Sequence, residues 1–293
     1  MARDRNTRAI LSFLGPGVAY LLIFTTFPLV YSVWMSLNTW SRSSLNFEFV
    51  GLANFASIAQ TTEIPLSIIF TNSWIYTIVA LSLELGVGLL LAMFFDLQFK
   101  GKNFIRIIVL LPILTTPVVI GLMARFLLNP TFGLVDYILG LIGFPPINWI
   151  GDPALALPTV ILWDVWEWAP FAFLVLHAGL QNIPQESLDA AKVDGASYFR
   201  TIRHISIPLV VPYILIIFLF RFVGTFVTFP LIWSITFGGP YYYSSTFSFI
   251  AYEEAWYFQN LGVGTAYSLI QLITIIVFVS VFLRYFGKHL MGD

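Results

Sequence analysis

LVVPYILIIFLFRFVGTFVTFPLIWSI, residues 209–235, carries one charged side chain, Arg221, in the whole stretch. A helix of about 20 mainly apolar residues is long enough to cross the hydrocarbon of a bilayer, so this stretch reads as a membrane span. The rest of the chain agrees. Of 293 residues, 58% are hydrophobic and 10% charged, where a soluble domain carries about 25% charged residues. With a mean hydropathy of +0.86, one aqueous core cannot hide the apolar surface. Five further stretches qualify as spans: 10–37, 66–95, 104–128, 155–180 and 261–286. The expected fold class is therefore an all-α membrane protein of about six transmembrane helices, forming a single membrane domain over residues 1–293.

Charge sets the expected orientation. Arg3, Arg5 and Arg8, then Lys100, Lys102 and Arg106, then Lys192, Arg200 and Arg203, then Arg284 and Lys288 all fall on one set of alternate connecting segments. The opposite set holds only Arg42, while Arg125 and Arg221 fall within spans. Lys and Arg near span ends are retained on the cytoplasmic side, so both termini are expected there. The first span is too long for the core of a cleaved signal peptide and is followed by no Ala-x-Ala-like site. A net charge of -1 gives phosphates no basic footprint, which argues against nucleic acid as a partner. The chain has no Cys, and His177, His204 and His289 lack metal-ligand spacing, so no metal is expected.

One connection differs from its surroundings. Residues 182–206, NIPQESLDAAKVDGASYFRTIRHIS, are polar and patterned. Asn182 and Pro184 signal a helix start, Glu186 sits in its first turn, and Gly195 marks its end. Tyr198, Ile202 and Ile205 form an apolar stripe on a second short helix that Pro208 is expected to end. By its physics alone, this wedge suits either a groove in a partner or the headgroup layer of the bilayer.

Asp189-Ala190-Ala191, then Gly195 after three residues, then Ile205-Ser206-Ile207-Pro208 after nine more, resembles the EAA signature of membrane subunits of ABC importers. Asp189 stands where Glu is usual and Ile207 where Leu is usual. Other stretches resemble the carbohydrate branch of that family, the maltose and glycerol-3-phosphate permeases: Gly51-Leu52-Ala53-Asn54-Phe55, Leu111-Pro112, Ile147-Asn148-Trp149, Phe220-Arg221 and Thr236-Phe237-Gly238-Gly239-Pro240. The last is similar to the first, maltose-F-like, of two paired permeases. The resemblance implies a type I importer fold in the inner membrane of a bacterium or archaeon. It also implies a second permease, two ATP-binding subunits, an extracytoplasmic solute-binding protein and a carbohydrate substrate. Glu186, Asp189, Ala190, Ala191, Gly195, Ile205 and Pro208 would then couple to the ATPases. No phosphate-binding Gly-x4-Gly-Lys-Ser/Thr loop occurs in the chain. ATP and Mg would thus belong to the partners, and this subunit by itself would be no enzyme.

Charges inside spans need a cavity or a partner, because each costs about 2.5 to 3.5 kcal/mol at the bilayer centre even on insertion scales. Asp164 and Glu167 share a helix face with Trp168 and Phe171, and Arg221, Gly224, Thr225 and Thr228 form a second polar stripe. Carboxylates and an Arg bond sugar hydroxyls while an aromatic face stacks on a pyranose, so the two stripes are candidates for lining a substrate pathway. The resemblance supports that role. The competing reading is an interhelical ion pair of Arg221 with Asp164 or Glu167 that only locks the bundle. Glu84 is expected to pair with a neighbouring helix. An ion-coupled secondary transporter using Glu84, Asp164, Glu167 and Arg221 is the alternative function.

Overall fold

The computed structural model describes residues 2–41, 46–62 and 64–291. Arg42 lies outside them, as do the side chains of Arg3, Arg5, Arg8, Lys288 and His289. Two compact units emerge: Met1–Pro65 with Ile250–Ile273, and Leu66–Phe249 with Thr274–Asp293.

In the first unit, α1 (Ala2–Leu21) passes through a π turn (Leu22–Thr26) into α2 (Phe27–Ser36). The wide turn has a local cause. Pro28 has no N–H and its ring crowds the carbonyl one helical turn back; the π turn, closed by Phe27 N–H to the Leu22 carbonyl, carries the helix past it. From Ser12 to Tyr31 the side chains are largely bare, with Phe13 88% and Phe27 67% exposed, an arrangement suited to lipid and not to water. An antiparallel hairpin follows, β1 (Asn38–Ser41) and β2 (Asn46–Phe49), with Asn38 opposite Phe49. Asn54, on α3 (Ala53–Gln60), donates to the carbonyls of Ser36 at 2.8 Å and Asn38 at 3.0 Å, satisfying groups that the end of α2 leaves without helical partners. Gly262 packs onto the same spot, where a Cβ would meet the Asn38 carbonyl and the Asn54 amide.

The second unit is built on α4 (Leu66–Phe94) and α8 (Pro153–Gln181), its most closely associated helices. Small residues make that closeness feasible: a Cβ on Gly88 would lie 2.5 Å from Ala172 Cβ and 2.9 Å from the Phe173 nitrogen. Around this contact, Ala92, Phe95, Ala172, Phe173 and Leu176 form a buried cluster with Ile217.

The expected third span, 104–128, is not one helix. It is α5 (Lys102–Leu110), a 3-10 turn (Pro112–Leu114) and α6 (Pro117–Leu127). Pro117 pushes Thr116 into extended backbone, with φ -72° and ψ 140°, and Thr115 is extended as well. Among the described residues, five helices are therefore long and apolar enough to cross a bilayer unbroken. In the first turn of α7 (Leu134–Leu141), Asp136 Oδ1 accepts from Ile147 N–H and Trp149 Nε1–H, both at 3.2 Å, which ties the following loop back towards the start of α8. There Asp152 caps the helix through Ala154 N–H at 2.8 Å.

After α8 come α9 (Gln185–Val193), α10 (Tyr198–Thr201), a π turn (Ile202–Ser206) and α11 (Ile207–Phe226). Pro208 does not end a helix as the sequence reading expects. A second π turn, closed by Ile207 N–H to the Ile202 carbonyl, precedes it as the first precedes Pro28, and the helix runs on. It stops at Phe226, short of the expected residue 235, and α12 (Pro230–Ile235) restarts after a break. The stretch between α12 and α13 (Phe247–Tyr252) is tied down by Asn72, whose amide donates to the carbonyls of Tyr242 and Ser245 at 3.1 Å each. The second half of α14 (Leu261–Met291) completes the unit.

Two outcomes follow. Gly88→Val forces α4 and α8 apart and is expected to cost about 1 to 3 kcal/mol, read as a lower thermal midpoint of the detergent-solubilised protein. In the first unit, burial, reinforced by Glu254, pushes the Glu253 carboxyl up to about 7, and its Oε2 has no hydrogen-bond partner. Between the ordinary carboxylate value and about 7, the folded chain holds a proton that the unfolded chain has released, so stability falls as pH rises through that window. Glu253→Gln is expected to flatten the dependence between about pH 5 and about pH 8, and thermal midpoints at both values measure it.

Candidate functional site

Arg221, near the end of α11, reaches two other helices of the second unit. Its Nε donates to Glu84 Oε2 at 2.6 Å, and its Nη2 donates to Glu84 Oε1 at 2.5 Å and to Asp164 Oδ2 at 2.9 Å. The bond to Glu84 on α4 is thus a two-pronged fork, the strongest geometry available to a guanidinium and a carboxylate. Asp164 joins it from α8. All three side chains are buried. Trp168, one turn along α8 from Asp164, presents its ring to the guanidinium at 4.3 Å, a cation–π contact. Gly224 makes room, since a Cβ there would stand 3.3 Å from Arg221 Nη1. Losing one partner of such a buried pair typically costs about 3 to 5 kcal/mol, because the other charge is stranded.

Beside the cluster lies a cavity of about 990 Å³, at the upper end of the range of about 300 to 1,000 Å³ typical of ligand sites. Of the residues expected on a pathway, Asp164, Glu167, Trp168, Arg221, Gly224 and Thr228 line it. Phe171 and Thr225 do not. Phe171 backs the wall, its ring 5.3 Å from that of Phe220, and Thr225 turns inward to donate to the Arg221 carbonyl at 2.8 Å. Arg221 and Asp164 are ion-paired, and both border the cavity. Glu84 as the main partner of Arg221 is the feature that pattern reading missed. The available signal was charge balance, since one guanidinium at membrane depth offers donors to more than one carboxylate. Glu167 stands apart from this network. It is buried, takes part in no ion pair among the described residues, and its Oε2 has no hydrogen-bond partner.

At the other end of α11, the α9 hairpin is closed by local chemistry. Gly195, at φ +71°, adopts the left-handed conformation. Its N–H donates to the Lys192 carbonyl at 3.0 Å, and that of Ala196 to the Ala191 carbonyl at 2.9 Å, a Schellman ending. Asp189 is exposed and accepts from Lys192 Nζ at 2.8 Å and Gln185 Nε2 at 3.3 Å. The Lys192 ammonium, and then the Gln185 amide, hold its carboxyl below the usual carboxylate range. Glu186, Ala190 and Gly195 are exposed, Ala191 is buried beneath α9, and Ile205 and Pro208 belong to the rod that continues into α11. Two residues overlooked in the sequence crown this wedge: Val193, 88% exposed, and Phe199, 70% exposed. Among the described residues, no group of His, Asp and Glu is arranged to hold a metal ion.

Comparison with known proteins agrees with the resemblance read from the hairpin. Residues 84–291 match the family of binding-protein-dependent transport system inner membrane components. The trehalose/maltose transport system permease protein MalF of Thermococcus litoralis is 31% identical, over 92% of this chain and 90% of its own. The sn-glycerol-3-phosphate transport system permease protein UgpA of Agrobacterium fabrum is 31% identical, over 94% of each. A chain of a bacterial ABC transporter for import of the acidic polysaccharide alginate superposes with a TM-score of 0.85, at 20% identity and 98% coverage of each chain. The chain belongs to the family of inner membrane components of binding-protein-dependent transport systems.

Proposed function

We propose that this permease subunit forms half of the pathway by which an ATP-driven importer carries a neutral sugar, oligosaccharide or polyol, with the α9 hairpin seated on a cytosolic ATPase. The observation that carries the substrate side is the cavity bordered by Asp164, Glu167, Trp168 and Arg221, which offers acceptors, donors and an aromatic face to a hydroxylated ligand. The named relatives, a trehalose/maltose permease and a glycerol-3-phosphate permease, point to the same broad class. Phe220, on the cavity wall, is 59% exposed in the lone chain, which suits closure of the pathway by a second permease. An alginate importer similar in fold is known in complex with a substrate-loaded periplasmic protein, and a solute-binding protein is the expected donor here. The one-sided Lys and Arg residues support a cytoplasmic position for both termini and the hairpin. ATP and Mg belong to the two ATPase partners.

Membership of a binding-protein-dependent family disfavours the ion-coupled alternative. The cluster geometry does so too, since Glu84 and Asp164 are committed to Arg221 and not free to relay ions.

The hairpin offers a clean test. Among the described residues, nothing beyond its own chain neighbours lies within 4 Å of a Cβ at Gly195, so a bulky side chain there meets chiefly the backbone cost of the left-handed conformation, about 1 to 2 kcal/mol. Gly195→Trp and Asp189→Lys are each expected to abolish ATP-driven uptake in proteoliposomes while membrane insertion stays normal. Uptake at the wild-type rate in both variants removes the coupling role.

A further inference from the structure

The charged groups gathered at the cavity do not balance. One guanidinium, Arg221, faces three carboxyl groups: Glu84, Asp164 and Glu167. Glu84 occupies Nε and Nη2 of that guanidinium, and Asp164 shares Nη2. Glu167 is left over. It lines the cavity, it is 3% exposed, and its Oε2 is buried with no partner. A buried carboxyl oxygen without a donor has lost its hydrogen bonds to water with nothing in return, at greater cost when charged, and such a group in a folded protein calls for a partner from outside the chain. The cation on that wall, Arg221, is already hydrogen-bonded to Glu84 and Asp164.

We infer that Glu167 is a specificity-determining residue, taking hydrogen-bond donors of the carried ligand and turning away ligands with an anionic group of their own. This rests on the reading of the cavity as a carbohydrate site. A hydroxyl or ammonium group placed at Glu167 supplies the donor it lacks, and the ammonium also reduces the excess of carboxyl groups over cations. A carboxylated or phosphorylated sugar instead brings an anionic group up against three carboxyl groups, in surroundings where charge repulsion is poorly screened. The preferred class is thus a neutral or amine-bearing polyhydroxylated compound. The distinction matters because structurally similar importers include one for an acidic polysaccharide.

The test uses the complete importer in lipid nanodiscs and three groups of probes: maltose and trehalose, a glucosamine disaccharide, and a glucuronate disaccharide. Binding is followed by tryptophan fluorescence, with Trp168→Phe as the control for signal from the cavity. The wild type is expected to bind the amine and neutral probes at least about tenfold more tightly than the anionic one, and Glu167→Gln to shrink that ratio to about one. Glu167→Lys is expected to invert it. Stability separates this role from a structural one. Glu167→Gln removes an unpartnered group and is expected to leave the thermal midpoint unchanged or raised, whereas Glu84→Gln strands Arg221 and is expected to lower it. Equal affinity of the wild type for anionic and neutral probes, or a ratio unmoved in Glu167→Gln, overturns the inference while the carbohydrate reading stands. A wild type that binds no probe overturns both.

Discussion

A guanidinium at membrane depth must be fully partnered, and the second unit is arranged around meeting that demand. Arg221 comes from α11, its forked partner Glu84 from α4 and its second partner Asp164 from α8, so the ion network pins three helices that are remote in sequence. Lipid offers no hydrophobic drive between helices, which are as content against acyl chains as against each other. Specific contacts must therefore choose the arrangement, and two kinds are present. Close approach through small residues, as at Gly88 against Ala172, sets the distance between α4 and α8. The Arg221 network sets which faces of the three helices meet, because a different rotation of any one of them strands a charge in hydrocarbon.

The same network shapes the cavity. Arg221 spends its Nε and Nη2 on structure, while Trp168 covers the guanidinium and Gly224 leaves space beside it. The wall is consequently polar where Asp164, Glu167, Arg221 and Thr228 reach it and apolar where Phe220 and its neighbours form the rest. That combination is suited to sugars, whose rings have apolar faces and hydroxylated rims. On the reading of the cavity as a sugar site, structural and recognition roles are divided among three carboxyl groups of similar chemistry, by which of them Arg221 bonds.

Much of this was legible in the sequence. Long apolar runs announce membrane helices because hydrocarbon tolerates few alternatives to a helix with all backbone groups paired. The hairpin's ending was visible at Gly195, since a left-handed residue closing α9 is most comfortably glycine. Less legible were the effects of proline. Pro112 and Pro117 break the expected third span, whereas Pro28 and Pro208 do not interrupt theirs, and the residue itself is the same in each case. What differs is the turn before it: a π turn relieves the steric conflict at Pro28 and Pro208, while Thr115 and Thr116 go extended before Pro117. The partner of Glu84 was hidden for another reason, as the contact joins residues 137 positions apart, and no local period encodes it.

The π turn before Pro208 also bears on how the hairpin communicates with the cavity. Had proline ended the helix there, as its reputation suggests, α10 and α11 would meet at a joint able to absorb motion. Instead one rod runs from Tyr198 to Phe226, with Arg221 on it some 23 residues, or about 35 Å, from the hairpin end at 1.5 Å per residue. On the reading of the hairpin as the ATPase seat, a displacement at α9 is delivered along that rod to the guanidinium. There it meets Glu84 and Asp164 on two other helices, a contact that tolerates little sliding because both carboxylates depend on one donor group. Motion of the rod must then either carry α4 and α8 along or exchange these partners as a unit. A packed, ion-paired contact of this kind switches between arrangements more readily than it deforms gradually, which is the behaviour alternating access requires of the cavity beside it.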